Sequence, residues 1–340
     1  MLTKITQPAI LLGLILMLLL AACQANLGDS SIRPLGEVST GAIPVEQRTI
    51  DSEHLNTQGI SLSASTITLG DIDPEDPTKK IGRLQPLADY LAENLKEYGV
   101  EQGRVVIARD IEELATLIAD GTIDVNIDSP FPSLQVQEMS GSKVVARGWK
   151  QNAPDYWSIY VARRDSGIDS VDDFLGKVVA FEEPHSTSGF ILPAGTLVDR
   201  GLRIVEVSGP EVSVAPDEIG YFFALDEENT FELIFRGAVA GGAVSNQDFL
   251  DPKKLDDDLK AQLVAVDHTI SVPRQFVSVG PGLDQEMTDT IVDLLAGLEH
   301  FEQGQQILKG MRKTKRYDAL PPESEAAIEE LERLIDLVVD

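Results

Sequence analysis

Residues 104–127, RVVIARDIEELATLIADGTIDVNI, decide the fold class. Arg104 to Ala108 is apolar and β-branched, which suits a strand. Asp110 is a good helix N-cap, and Ile111, Leu114, Ala115 and Ile118 then recur at helical spacing. Ile123 to Ile127 returns to strand character. A strand, a helix and a strand joined by connections this short require parallel strands with a covering helix.

The same alternation extends outward in both directions. Upstream, Ile67-Thr68-Leu69 reads as a strand, and Leu84, Leu87, Ala88, Leu91, Leu95 and Tyr98 follow at helical spacing. Downstream the pattern restarts. Val178 to Phe181 is a strand, a helix runs through Leu197, and Arg203 to Val207 is a strand. A helix around Thr230 to Phe235 leads into a strand at Ala238 to Val244. Two such units in one chain predict two α/β lobes. Tyr156 to Ala162 and Gln262 to Asp267 read as the strands passing between them, which puts lobe one at 66–158 plus 263–340 and lobe two at 159–262. Met287, Ile291, Leu294, Leu295 and Leu298 form one apolar helical stripe near the C-terminus. Ile328, Leu331, Leu334, Ile335 and Val338 form another, and both suit core-facing helices.

The chain has 340 residues and is 43% hydrophobic, enough for a sizeable core. Its net charge of −28 argues against nucleic-acid binding, which rests on phosphate neutralisation by Lys and Arg. Lys4 precedes an apolar run from Ala9 to Leu20, shorter than the ~20 residues a membrane span needs, and Leu20-Ala21-Ala22-Cys23 follows. Residues 1–22 read as a signal peptide. Cys23, the only cysteine, reads as the acyl acceptor of a lipoprotein, so the expected location is extracytoplasmic and lipid-anchored. An ordinary secretory signal with a coincidental cysteine is the alternative. Residues 23–65, rich in Ser, Thr, Gly, Pro and Gln, read as a flexible tether.

The candidate site centres on His185-Ser186-Thr187-Ser188-Gly189-Phe190, which follows a buried strand and opens a helix. Hydroxyls at a helix N-terminus meet free backbone N–H groups and the positive end of the helix dipole, and Gly189 admits close approach of an anion. Plain helix capping by one hydroxyl is the competing reading. Pro193 should kink or restart this helix. Asp128 and Ser129 lie beyond the carboxyl end of a strand, where open α/β sheets bind ligands, or else form a proline-stiffened turn with Asp128 as cap. Ser245, Asn246 and Asp248 hold the same topological place in the second unit, after Gly241 and Gly242, which suggest close backbone approach in that strand. Tyr156 stands where the chain first crosses, either walling a cleft or packing in a core.

From Asp155-Tyr156-Trp157-Ser158 through Ser186-Thr187-Ser188-Gly189-Phe190 and Pro193, the chain resembles the phosphate/phosphite/phosphonate-binding proteins of ABC transporters. The likeness covers roughly residues 66–280. It implies a type II periplasmic-binding-protein fold, a phosphonate-like oxyanion held by Ser186, Thr187 and Ser188, an ABC permease as partner, and a monomer with no cofactor. Three departures accompany it. Asp128 stands where members often place a Tyr, the segment Phe223 to Asn229 lacks a His, and Ser245 lies where some have a carboxylate. A carboxylate at 128 repels a dianion unless a cation intervenes or the acid stays protonated, which suggests a zwitterionic aminoalkylphosphonate as ligand; the alternative is that Asp128 caps the helix and never meets ligand.

An enzyme needs machinery that this sequence does not offer. His54, His185, His268 and His300 show no metal-ligand spacing, and there is no nucleophile elbow, P-loop or dinucleotide fingerprint. His185 beside Ser186 is poorly placed to act as its base. A binder is therefore expected, with a ligand-sensing lipoprotein or a phosphonate or phosphoester hydrolase as alternatives.

Overall fold

A computed structural model describes residues 66–72, 76–311 and 314–339. The signal segment, Cys23 and the tether lie outside the described residues. The chain runs β1 (Thr66–Ile72), α1 (Pro77–Asn94), β2 (Gln102–Ala108), α2 (Ile111–Ala119), β3 (Val125–Asp128), α3 (Pro130–Ser140) and β4 (Lys143–Lys150). It crosses through β5 (Asp155–Tyr156) into β6 (Ser158–Arg163), β7 (Val178–Phe181), α4 (Leu192–Asp199), β8 (Arg203–Glu206), β9 (Glu218–Phe223) and α5 (Glu227–Phe235). Next come β10 (Gly241–Ser245), α6 (Asn246–Leu250), α7 (Asp257–Lys260) and β11 (Leu263–His268). It returns through β12 (Val272–Pro273) to β13 (Phe276–Val279), α8 (Gln285–Gly297), α9 (Glu302–Gly310), β14 (Thr314–Ala319) and α10 (Glu325–Asp336).

These strands form two six-stranded mixed sheets, ordered β14-β4-β13-β3-β1-β2 and β11-β6-β10-β7-β9-β8. The short antiparallel pair β5–β12 joins them where the chain crosses out and back. This is the expected two-lobed α/β arrangement. In the first lobe β1 pairs in parallel with β2 and β3, and β13 returns antiparallel between β3 and β4. In the second, β7 pairs in parallel with β9 and β10, and β6 runs antiparallel to β10.

Core packing follows the apolar spacing. Leu84, Leu87 and Leu91 of α1 pack with Ile67 and Leu69 of β1 and with Ile291 and Leu295 of α8. The second apolar cluster runs from the second lobe across the crossing strands. Phe131 of α3, Tyr156, Tyr160, Leu197 and Leu331 all belong to it. Each fully buried Leu or Phe contributes ~1.5–3 kcal/mol, so this shared cluster ties α3 firmly to the crossing region.

Two placements differ from the sequence expectation. Residues 263–268 belong to the second sheet, because β11 pairs antiparallel with β6 over Leu263–His268. The expected return at 263 therefore comes only at β12. The stripe containing Leu331 and Leu334 packs on the second-lobe cluster, and α10 lies against α4, with a Cβ on Gly195 standing 2.8 Å from the Leu334 Cβ. Among the described residues no helix is long and apolar enough to cross a membrane.

Candidate functional site

Two helical N-termini meet where the carboxyl ends of the two sheets face each other. The first belongs to α3. β3 ends at Asp128, and Ser129 is the N-cap of a helix with Pro130 in its first turn. The Ser129 side chain makes no capping bond, and Asp128 Oδ1 instead accepts from the Ser129 N–H at 2.6 Å. Asp128 therefore braces the turn without capping the helix interior.

The second N-terminus follows β7. Thr187–Ile191 forms a π-turn that runs directly into α4. Pro193 explains the break. It has no N–H to offer the carbonyl of Gly189, and Glu182 N donates to that carbonyl at 3.1 Å instead. Ser186 is the N-cap, with its Oγ accepting from Gly189 N at 2.9 Å and donating to Glu182 Oε2 at 2.6 Å. Thr187 is 1% exposed, and its Oγ1 accepts the N–H of Phe131 at 3.0 Å, which links the two helical N-termini directly. Phe131 also stacks on His185 with ring centroids 6.5 Å apart. Thr187 and Ser188 are both buried, with their hydroxyls near the Tyr156 phenol. Burial pushes the Tyr156 phenol up, while Arg274 and the two hydroxyls oppose the rise.

Thr187, Ser188, Tyr156 and the start of α3 thus come together, and Ser186 and Gly189 shape the turn beneath them. Ser245, Asn246 and Asp248 are spent on the frame. Ser245 caps α6 by exchanging bonds with Asp248, and Asp248 pairs with Lys254 at 3.1 Å. Asn246 Oδ1 accepts from Trp157 N at 3.1 Å, and its own N–H donates to the Trp157 carbonyl. Gly241 and Gly242 permit close approach by protein groups: a Cβ at 241 would stand 2.6 Å from Phe174 Cε1, and one at 242 would stand 2.6 Å from the Ala180 carbonyl oxygen.

Asp128 has cations of the protein's own beside it. Burial pushes its carboxyl up, while the Ser129 N–H, Lys80 and Lys150 oppose the rise. Lys80 also pairs with Asp71 at 2.9 Å, and burial, with Asp128 adding, pushes Asp71 up to about 6.

Three neighbours went unread in the sequence. Glu182 was detectable, since it directly follows a buried strand and lies four residues before Ser186. Arg274 was not, because it reaches the Tyr156 face from the returning strand, with its guanidinium carbon 4.4 Å from the ring centroid. Phe131 carries no signal of its own, because its role comes from the backbone N–H it donates to Thr187 and the ring it sets against His185. Among the described residues no group of three or more His, Cys, Asp or Glu side chains is placed to hold a metal ion. The Ser186 hydroxyl bonds Glu182, not His185.

Comparison with known proteins agrees with this architecture. The phosphate-import protein PhnD of Mycolicibacterium smegmatis is 31% identical over 155 residues, which span 44% of this chain and 46% of that protein. The match therefore reaches less than half of the relative's length. XAC2383 from Xanthomonas citri, in its chloride-bound structure, superposes with a TM-score of 0.74 at 23% identity, over 81% of this chain and 99% of that one. PhnD1 from Prochlorococcus marinus, in complex with methylphosphonate, gives 0.56 at 16% identity, over 81% and 100%. The sequence profile described as "ABC transporter, phosphonate, periplasmic substrate-binding protein" matches residues 72–323, and the chain belongs to that family.

Proposed function

We propose that the protein captures a phosphonate-like or other small oxyanion outside the cytoplasm and delivers it to the permease of an ABC importer. In this reading it acts as a monomer, is held to the membrane by a lipid on Cys23 and carries out no chemistry on its ligand. The observation that carries the reading is the meeting of the α3 N-terminus with the hydroxyl turn, joined by the bond from Phe131 N to Thr187 Oγ1. At the α3 end Pro130 and Pro132 carry no N–H and the Phe131 N–H is taken by Thr187, so this end contributes the Ser129 hydroxyl and a local dipole that favours negative charge. An oxyanion placed there draws donors from both lobes, so binding it favours the closed arrangement a permease can recognise. Thr187, Ser188, Ser129 and the Tyr156 phenol supply the hydroxyls in this scheme, Ser186 caps the turn beneath them, and Ser245, Asn246 and Asp248 hold the frame.

Calorimetric titration with methylphosphonate, phosphite, phosphate and sulfate tests the reading. One ligand per chain with no product by phosphorus NMR is the expected result, and steady release of orthophosphate would make the protein a hydrolase. Loss of growth on the bound compound as sole phosphorus source, when the protein is removed, marks uptake. Intact growth with altered signalling would mark a sensor. Cys23→Ser should release the protein from membranes or block its maturation. A variant that fractionates like the parent would overturn the lipid anchor.

A further inference from the structure

The carboxyl of Glu182 lies inside the candidate cradle, where an anion receptor has least use for an acid. Its Oε2 takes the Ser186 hydroxyl hydrogen at 2.6 Å. The same oxygen covers the turn backbone, since a Cβ on Gly189 would stand 2.3 Å from it. The hydroxyl of Ser186 has one hydrogen to give and two lone pairs to receive with. One lone pair takes the Gly189 N–H at 2.9 Å. While Glu182 is ionised, the single hydrogen is committed to the carboxylate and points away from any ligand. When Glu182 carries a proton it can donate to the second lone pair, and the Ser186 hydrogen is released to face the ligand.

The groups around Glu182 keep it within reach of this change. Glu183 lies on the same loop, His185 faces Glu183, Glu227 approaches from α5, and Tyr156 approaches from β5. Lys254 is the nearby cation, and it pairs with Glu227, with Glu228 at 3.1 Å and with Asp248 at 3.1 Å. Burial works against the ionised form of Glu227, but the bond and charge of Lys254 bring its carboxyl below the ordinary range. Among the described residues no ion pair reaches Glu182, and burial, opposed by the Ser186 bond and helped by the charge and hydrogen bond of Glu227 and by the charge of Glu183, pushes it up to about 8. Lys254 thus holds the negative charge on Glu227, so a proton taken up by the two carboxyls goes to Glu182.

Resting on the oxyanion reading above, we propose that Glu182 is a positioning residue that couples oxyanion binding to uptake of one proton, turning the Ser186 hydroxyl from an inward donor into a ligand donor. The proton comes from solvent and stays on Glu182 in the complex. Calorimetry of methylphosphonate binding at pH 9, in two buffers of different ionisation enthalpy, counts the protons taken up. Any proton taken by the ligand itself is common to parent and variant and cancels in the difference. The parent should take up about one proton more than Glu182→Gln, whose amide donates to Ser186 at every pH, and its affinity should fall up to about tenfold per pH unit above the transition. Ser186→Ala should show the same loss of uptake with weaker binding, and it provides the readout should Glu182→Gln fail to fold. Equal proton counts in the parent and a folded variant would overturn the proposal while leaving the oxyanion site standing. A parent that binds methylphosphonate at no pH between 6 and 9, and binds phosphate at none either, would overturn both.

Discussion

The three hydroxyls of the turn are not equivalent. Ser186 caps the turn with bonds to Glu182 and Gly189, and Thr187 accepts the Phe131 N–H, whereas Ser188 lies near the Tyr156 phenol. Ser188→Ala should therefore weaken oxyanion binding by ~1.5–3 kcal/mol, about ten- to a hundredfold, as expected for one charge-assisted hydrogen bond. Its melting temperature should stay close to the parent's, because Ser188 caps nothing. Unchanged affinity in calorimetry would remove Ser188 from the site. Asp124 gives a residue-scale prediction about stability. Its Oδ2 accepts from Thr68 N at 2.7 Å, yet burial pushes its carboxyl up to about 6. A carboxyl raised on folding contributes stability that is fully present below the ordinary carboxylate range and is lost as pH rises through about 6. Asp124→Asn keeps the acceptor and removes the ionisation. Its stability relative to the parent should rise by on the order of 1–2 kcal/mol between pH 4 and 7, allowing for partial solvent screening. A difference that stays flat in urea titrations across that range would refute the assignment.

At the scale of the element, β10 shows why two consecutive glycines stand in a central strand. A Cβ at Gly242 would meet the Ala180 carbonyl oxygen at 2.6 Å and Thr230 Cγ2 at 2.8 Å, so β7 and α5 close over it with no room to spare. Gly242→Ala should cost ~1–3 kcal/mol through overpacking, measured by thermal or urea unfolding. A neutral result would mean that α5 is free to shift outward. The sequence reading of this region had close backbone approach right, but the approaching groups are protein and not ligand. The same limit runs through the whole reading. Features set by neighbours in sequence were legible, such as the Asp110 cap, which accepts from Glu113 N at 2.8 Å, and the break that Pro193 imposes. Features set by tertiary approach were not. Glu218–Phe223 escaped notice because Gly220 interrupts its apolar run, although it lies between β7 and β8. β11 was read as a crossing strand, because nothing in its own residues reveals that β6 is its partner.

At the scale of the whole molecule, the contacts that join the lobes are those that ligand-driven closure would have to make and break. Arg147 fixes the crossing itself, bonding Asp155 of β5 at 3.1 Å and Asp318 of β14 at 3.0 Å. Gln247 of α6 donates to the Lys150 carbonyl at 3.1 Å and accepts from Arg274 at 2.9 Å. The buried Phe131–Thr187 bond and the Phe131–His185 stack join α3 of one lobe to the hydroxyl turn of the other. Separating the lobes would break that stack, so it should slow opening and leave encounter untouched. An aromatic pair of this kind contributes ~0.5–1.5 kcal/mol beyond its buried area, which corresponds to roughly two- to tenfold in a rate. Phe131→Leu keeps the apolar bulk that packs against Leu134 and Tyr156, retains the backbone N–H, and removes the ring. Stopped-flow or surface-binding kinetics with methylphosphonate should show dissociation faster by about two- to tenfold, with association within about twofold of the parent. If association slows and dissociation is unchanged, the ring guides ligand entry and the stack is not a closing contact.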